Sequence, residues 1–156
     1  MKSRLLASIV LGTAVVLTAT GCNMLAPQAT TLQYNPGDGM SVNTGTIQVL
    51  NALVISEDGE DGNLVVAFYN KDEENDATIF IEFGENGKGG EAAMEIPAGS
   101  LVSLGGDYEE PLLLEGINTD PGARLPMYFQ SGDGEGQLVL VPVLDGSLPY
   151  YADLVP

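Results

Sequence analysis

The feature that most constrains the fold of this chain is a succession of short apolar runs, each of strand length. The first three extend from Thr46 to Ile55, from Leu64 to Tyr69 and from Thr78 to Phe83, and they are rich in β-branched and aromatic side chains. Five further candidate strands follow: Ala92 to Ile96, Ser100 to Leu104, Leu112 to Leu114, Leu125 to Phe129 and Leu138 to Val143. No segment has a sustained helical period, so the pattern predicts an all-β fold.

The segments between these runs have the composition of tight turns. Glu57 to Asn63, Gly84 to Gly90 and Ser131 to Gly136 combine glycine, which adopts positive φ without strain, with Asn and Asp, whose side chains hydrogen-bond locally. The acidic residues are concentrated in such turns, where they stay hydrated and discourage edge-to-edge association. This alternation of short strands and turns predicts a single antiparallel β-sandwich.

The N-terminus has the pattern of a secretory signal. Met1 to Arg4 is a short positive segment, Leu5 to Leu17 is apolar and uncharged, and Ala19-Thr20-Gly21 stands directly before Cys22. These small residues resemble a bacterial lipobox, in which a peptidase cuts before a cysteine whose thiol carries diacylglycerol, although Ala19 replaces the usual leucine. Cys22 is therefore predicted to be the site of lipidation.

This pattern sets the expected domain organisation. We expect a lipoprotein signal peptide over 1–21, the lipidated Cys22 and a flexible tether over 22–32, and a β-sandwich domain over 33–156. One alternative is an ordinary signal peptide that leaves Cys22 as a free thiol. The other is a spanning helix, for which the apolar run falls short of about 20 residues. Lipidation predicts a protein anchored to the extracytoplasmic face of the bacterial cell membrane.

The charge of the chain excludes some partners. The formal net charge is −17, and only Lys71, Lys88 and Arg124 remain against all 22 acidic residues once the signal is removed. Such a surface is repelled by phosphate backbones, so nucleic acid is not an expected partner. It also matches anionic headgroups poorly, so the membrane is expected to be reached through the Cys22 lipid alone.

The residues that most enzymes use are absent. The chain has no histidine and a single cysteine, which lipidation would consume, and no Gly-x-Ser-x-Gly motif surrounds a serine. A pair of carboxylates, as in glycosidases, is the only acid–base machinery available, and no spacing singles out one pair. We therefore expect a protein that is not an enzyme.

Metal sites have few donors. Glu57 to Asn63 lacks the spacing of an EF-hand loop, although weak calcium binding between acidic turns stays open. The soft ligands are Met24 on the tether, Met40 after a turn, and Met94 and Met127 inside predicted strands, where core packing is the simpler role. No cofactor is expected, with copper(I) on Met40, Met94 and Met127 as the alternative.

The C-terminal segment is more apolar than an exposed tail requires. It contains Tyr150-Tyr151 and ends in Leu154-Val155-Pro156. It is either a last strand or a flap that seals one end of the sandwich, or an exposed tail that binds a partner.

Several of these segments together resemble a known family. Ile96-Pro97-Ala98-Gly99, Leu104-Gly105-Gly106, Pro111 to Ile117 and Leu125 to Phe129 are similar to the C-terminal half of the periplasmic copper chaperones called PCuAC, and Leu138 to Val143 is similar to its closing strand. The resemblance implies a cupredoxin-like or immunoglobulin-like β-sandwich. The lipobox, the Tyr34 to Gly39 opening and the Val141 to Gly146 ending resemble the actinobacterial lipoprotein branch labelled LpqE.

In the family that the chain resembles, two His and two Met hold copper(I). This copper site is not expected in the present chain. One ligand pair of the family falls on about Pro111 and Leu113, and the other falls near Glu82 or Phe83 and on the following turn to Met94. Aliphatic side chains in place of ligands would leave a dry hydrophobic patch.

Two main hypotheses of function follow. The first is a lipid-anchored accessory protein without copper ligands that binds another cell-envelope protein, and its expected contact surface is Pro111, Leu112, Leu113, Leu114 and Met127. The alternative for those leucines is a buried strand. The second hypothesis is a copper(I) chaperone that uses methionine only, and a carboxylate enzyme of the cell wall is a third and weaker possibility.

Overall fold

Nine β-strands form the fold in a computed structural model, which describes residues 3–4, 37–106 and 109–156. All nine belong to the compact unit Asn35–Pro156. Ser3 and Arg4 are helical and exposed. Cys22 and the predicted tether lie outside the described residues, as does all of the predicted signal peptide apart from Ser3 and Arg4. Within the described residues, no helix is long and apolar enough to cross a bilayer.

The strands divide into two layers. Their bounds are β1 Met40–Thr44, β2 Ile47–Ile55, β3 Gly62–Asn70, β4 Ala77–Phe83, β5 Gly90–Ile96, β6 Leu101–Leu104, β7 Leu112–Leu114, β8 Arg124–Ser131 and β9 Gln137–Leu144. In the first layer, called sheet one, β2 lies between β1 and β3, and β3 pairs in turn with β6 and β7. In the second, called sheet two, the order is β5-β4-β8-β9.

The two sheets are joined along one short ladder. All strand pairs are antiparallel except β2 and β9, which pair in parallel at Val54 with Val143 and at Ile55 with Leu144. Strand β9 therefore closes sheet two and continues onto the centre of sheet one, which gives a mixed and nearly closed all-β sandwich. The predicted fold class is confirmed, and this parallel ladder is the one departure from an antiparallel arrangement among the described strands.

The predicted strands are present and differ from the observed ones only at their ends. Strand β1 was missed, because Met40-Ser41-Val42-Asn43-Thr44 is short and contains only two apolar residues and no aliphatic run. It pairs with β2 through an irregular register between Met40 and Val42.

The core lies between the sheets and follows the two-residue period of the strands. In sheet one, Phe68 is completely buried, and in sheet two so are Leu125, Met127 and Phe129. The rings of Phe68 and Phe129 meet across the core with centroids 6.4 Å apart and an interplanar angle of 58°, a tilted arrangement that aromatic pairs favour.

A bulge in β2 reverses which side chains face the core. Asn51 adopts a φ of 50°, a left-handed conformation that asparagine tolerates, and its side-chain oxygen accepts the Gly39 N–H at 2.9 Å. The extra residue shifts the pairing register. Val49 faces the core before the bulge, and Ala52 faces it afterwards. As a result, Leu53 turns its side chain to the outer face of sheet one.

The C-terminal segment covers that outer face. Residues 150–156, called the C-terminal flap, place Tyr151 in a buried cluster with Leu53 and Ile55. The Tyr151 hydroxyl donates to the Asp38 carboxylate at 2.8 Å, and the Asn63 amide donates to the Leu154 carbonyl oxygen at 2.9 Å. The tail is therefore a flap, but it covers the outer face of sheet one and not, as was predicted, an end of the sandwich.

Candidate binding face

The residues predicted to form a contact surface do not share one surface. Leu113 is 49 % exposed, and Pro111 and Leu112 are half-buried, but Leu114 and Met127 are 1 % and 0 % exposed. Strand β7 pairs with β3, so its alternating side chains point in turn to the core and to solvent. Leu114 and Met127 belong to the core, and only the Leu113 side chain of β7 presents a large apolar surface.

The methionines are also dispersed. Along β4, Met94 of β5 lies opposite Ile79, whereas Met127 of β8 lies opposite Phe83. Four residues of strand separate these positions by about 13 Å. Met40 lies in β1 of the other sheet. The three methionines therefore lie on different strands and at different pairing positions, and the structure does not bring them together.

Carboxylates do not cluster into a metal site either. Within the described part of the chain, no group of three or more Asp, Glu, Cys or His side chains is arranged to hold a metal ion. Every buried side-chain nitrogen or oxygen described there has a hydrogen-bond partner.

A continuous apolar surface lies instead on the outer face of sheet two. Tyr128 of β8 is directly opposite Leu138 of β9, and Pro126 is directly opposite Leu140. Leu138 is 69 % exposed and Leu140 is 47 % exposed, while Pro126 and Tyr128 are half-buried. Side chains directly opposite one another have Cβ atoms about 5 Å apart, so these four form a contiguous patch, called the sheet-two face.

Phe80 extends the sheet-two face onto the next strand. It lies in β4 opposite Gln130 of β8 and is 45 % exposed. Tyr128 stands two residues along β8 from Gln130, which is the diagonal position that aromatic side chains can reach. The face thus carries apolar side chains on three neighbouring strands.

A groove opens at one end of this face. Its volume is about 610 Å³, and it is lined by Pro126, Tyr128 and Leu138 together with Glu82 and the 84–87 turn between β4 and β5. The Tyr128 ring lies directly over Gly136, where a Cβ atom would collide with it. Glycine at this position therefore lets the ring lie against the backbone and form one wall of the groove.

The charges beside the groove are acidic. Glu82 of β4 lies directly opposite Glu91 of β5, both are exposed, and Glu85 lines the groove from the following turn. Two cations, Lys88 and Arg124, line a neighbouring cavity of about 450 Å³, which shares Glu85 and Pro126 with the groove.

Among the residues that the structure describes, sheet one presents no comparable outer surface. Its exposed leucines are Leu101, opposite Tyr69, and Leu113, opposite Asn63, so six residues or about 20 Å of β3 separate them. The apolar positions near β2 are covered by the C-terminal flap. Isolated surface leucines are ordinary, whereas a contiguous apolar patch is a candidate contact site.

Sequence reasoning missed the sheet-two face although a signal for it is present. Residues Leu138 to Leu144 of β9 read as a continuous apolar run, which is typical of a strand covered on both faces. The apolar run was predicted only as a closing strand. The structure covers one side of β9 with the core and leaves Leu138 and Leu140 exposed.

Comparison with known proteins supports the fold. No protein-family model and no curated protein matches the chain. A solved structure, the apo PmoF2 PCuAC domain, is similar with a TM-score of 0.53 at 11 % identity, over 70 % of this chain and 98 % of that one. The copper-bound PCuAC domain from PmoF2 is similar with a TM-score of 0.50 at 12 % identity, over 68 % of this chain and 98 % of that one. The chain therefore has a PCuAC-like fold.

Proposed function

We propose that this protein is a lipid-anchored accessory factor of the cell envelope that binds another envelope protein through the sheet-two face. In this proposal Cys22 carries the lipid, the following residues act as the tether, and the sandwich stands at the extracytoplasmic face of the membrane. As part of the same proposal, the chain is related to the actinobacterial lipoprotein branch LpqE.

The observation that carries the proposal is the contrast between the two outer faces of the sandwich. The apolar patch on sheet one is sealed by the chain's own C-terminal flap. The patch on sheet two includes Leu138 at 69 % exposure, and no described residue covers it. Apolar surface of this kind gains free energy when a partner removes it from water, about 25 cal/mol per Å².

An activity without catalysis fits the side chains available. The groove beside the sheet-two face contains glutamates, a tyrosine, a proline and a leucine, but no nucleophile paired with a base. Binding to another protein requires only apolar contacts and charges, and this face has both.

Copper(I) handling is the competing function, since one similar solved domain is described as copper-bound. The donor set here does not fit such a site, because the chain has no histidine and its Met127 is fully buried. A methionine-only site predicts competition for copper(I) against a chelator that disappears when Met40, Met94 and Met127 are changed to Leu. If the unaltered protein does not compete, this function is excluded.

The binding proposal is tested by photo-cross-linking in the cell envelope. A photoreactive residue replaces Leu138 in one full-length variant and Leu113 in the other, which also tests the surface expected from the sequence. We expect a specific adduct with another envelope protein from position 138, and we expect Leu140→Asp in the same chain to abolish it. An adduct only from position 113 would move the binding surface to β7, and no adduct from either position would contradict the proposal.

The anchor is tested separately. Cys22→Ser should move the protein from the membrane fraction to the released fraction, and mass spectrometry of the unaltered protein should find acyl chains on Cys22. An unmodified thiol would exclude the lipid anchor without bearing on the binding face.

A further inference from the structure

We infer that the partner docks on the sheet-two face with a segment that carries lysine or arginine beside an apolar side chain. The apolar side chain would enter the groove at Pro126, Tyr128 and Leu138, and the cation would lie on Glu82 and Glu91. This inference rests on the proposed function and adds the chemistry of the partner.

Two like charges lie opposite each other at the edge of the groove. Glu82 and Glu91 are directly opposite in the β4–β5 register. Like charges in this position destabilise a sheet, because their Cβ atoms are only about 5 Å apart. A cation placed between them would convert this repulsion into attraction.

Charge is distributed unevenly over the same face. Glu95 of β5 also points outward, and Glu85 lines the groove. Arg124 begins β8, four residues or about 13 Å of strand away from Tyr128, which is opposite Glu82. Lys88 of the β4–β5 turn lines the neighbouring cavity with Arg124 and is not among the residues that line the groove. Along strands β4 and β5 the apolar patch therefore has an acidic border of Glu82, Glu91 and Glu95, and electrostatic complementarity favours a basic partner.

The same charges argue against other occupants. A second copy of the chain would bring its own Glu82, Glu85 and Glu91 against this border. Anionic lipid would be repelled in the same way. The chain's own residues 23–36 contain Leu25 and Leu32 but no lysine or arginine, so they could fill the groove but could not neutralise the glutamates.

The test uses a matched pair of charge variants of the full chain, purified in detergent. Glu82→Gln with Glu91→Gln removes the charges beside the groove, and Glu73→Gln with Glu74→Gln removes the same number of charges from the exposed β3–β4 loop. The probe is a dye-labelled peptide of alternating leucine and lysine, and its affinity is measured by fluorescence anisotropy at physiological salt. We expect the first variant to bind about fivefold or more weakly and the second to change by less than about twofold.

Stability provides the control against misfolding. Because the Glu82–Glu91 pair is repulsive, its removal should leave the melting temperature unchanged or higher while the peptide affinity falls. Equal losses of affinity in both variants would show that the acidic chain attracts cationic peptide without a site, and this would overturn the inference.

The cross-link from position 138 separates this inference from the proposed function. A cross-linked partner segment with lysine or arginine within a few residues of the adduct supports both. A neutral or acidic segment overturns the basic-partner inference and leaves the binding function standing. An adduct with a second copy of this chain, or with its residues 23–36, overturns both.

Discussion

At the scale of single residues, one buried asparagine joins two segments of the chain whose contact the sequence does not predict. Asn70 ends β3 with no exposed surface, and its side-chain amide donates to the carbonyl oxygens of Asn75 at 2.9 Å and Ile96 at 3.0 Å. Its side-chain oxygen accepts the Asp72 N–H at 3.0 Å. One side chain thus connects the β3–β4 loop to the end of β5.

Asn70→Ala should therefore destabilise the fold by about 3 kcal/mol, because one buried hydrogen bond, to Ile96, and two partly buried ones, to Asn75 and Asp72, are lost. Urea unfolding followed by circular dichroism measures this change. The matched control is Asn75→Ala, whose side chain is exposed and bonds only the nearby Asp72 carboxylate, and which should cost less than about 1 kcal/mol. A loss of similar size in both variants would contradict this role for Asn70.

Tyr151 is a second residue whose environment is decided by the fold. Burial, followed by the hydrogen bond to Asp38 and the negative charge of that carboxylate, raises the pKa of the Tyr151 hydroxyl above its usual range. The folded state therefore holds this proton more tightly than the unfolded state, in which a tyrosine titrates near pH 10.

It follows that the stability contributed by Tyr151 is fully present below about pH 10 and is lost as the pH rises further. Urea unfolding at about pH 8 and at about pH 11, with the unaltered chain and Tyr151→Phe side by side, measures the effect. The unaltered chain should lose more stability between these two conditions, because the other tyrosines are common to both proteins. Equal losses would show that the Tyr151 proton is not held by the fold.

At the scale of elements, the bulge at Asn51 and the C-terminal flap depend on each other. The bulge turns Leu53 and Ile55 away from the main core, and the flap buries them in a second cluster. Without the flap, the central strand of sheet one would expose two large aliphatic side chains.

Ending the chain after Pro149 should therefore cost about 3 kcal/mol and produce binding of a hydrophobic dye, since each buried aliphatic contributes about 1.5–3 kcal/mol. The control is Tyr150→Ala, which removes a flap residue that is 62 % exposed and should cost about 1 kcal/mol through its edge contact with Tyr151. An unchanged urea midpoint on truncation would mean that the flap does not seal this face.

The elements themselves were largely predictable. Runs such as Leu64 to Tyr69 have the composition and length of strands, and glycine with Asn or Asp marks the turns between them. The bulge was not predictable, because the Asn51 side chain accepts the N–H of Gly39, twelve residues away along the chain. Strand β1 was missed because it is short and contains only two apolar residues, Met40 and Val42.

At the scale of the whole molecule, an excess of negative charge opposes the compact state. The chain has 22 acidic residues and five basic ones, and two of the five lie in the predicted signal peptide. Mutual repulsion in such a protein weakens folding and is relieved by screening.

We expect the melting temperature to rise between about 10 mM and about 150 mM NaCl, as the Debye length falls from about 30 Å to about 8 Å. Differential scanning calorimetry measures the shift, and an uncharged solute at equal osmolality is the control for effects other than screening. A fall in melting temperature with salt would mean that attractive ion pairs outweigh the repulsion.

Strand content, acidic turns and the lack of histidine can be read from the sequence, because they follow from composition and from a two-residue period that needs no partner. Which apolar side chains are covered depends on the packing of the sheets. In β7 and β9 both sides of the strand are apolar, so periodicity marks two faces without saying which one meets the core. Packing buries Leu114 of β7 and leaves Leu113 exposed, and it places Leu138 of β9 beside Tyr128 on an open face.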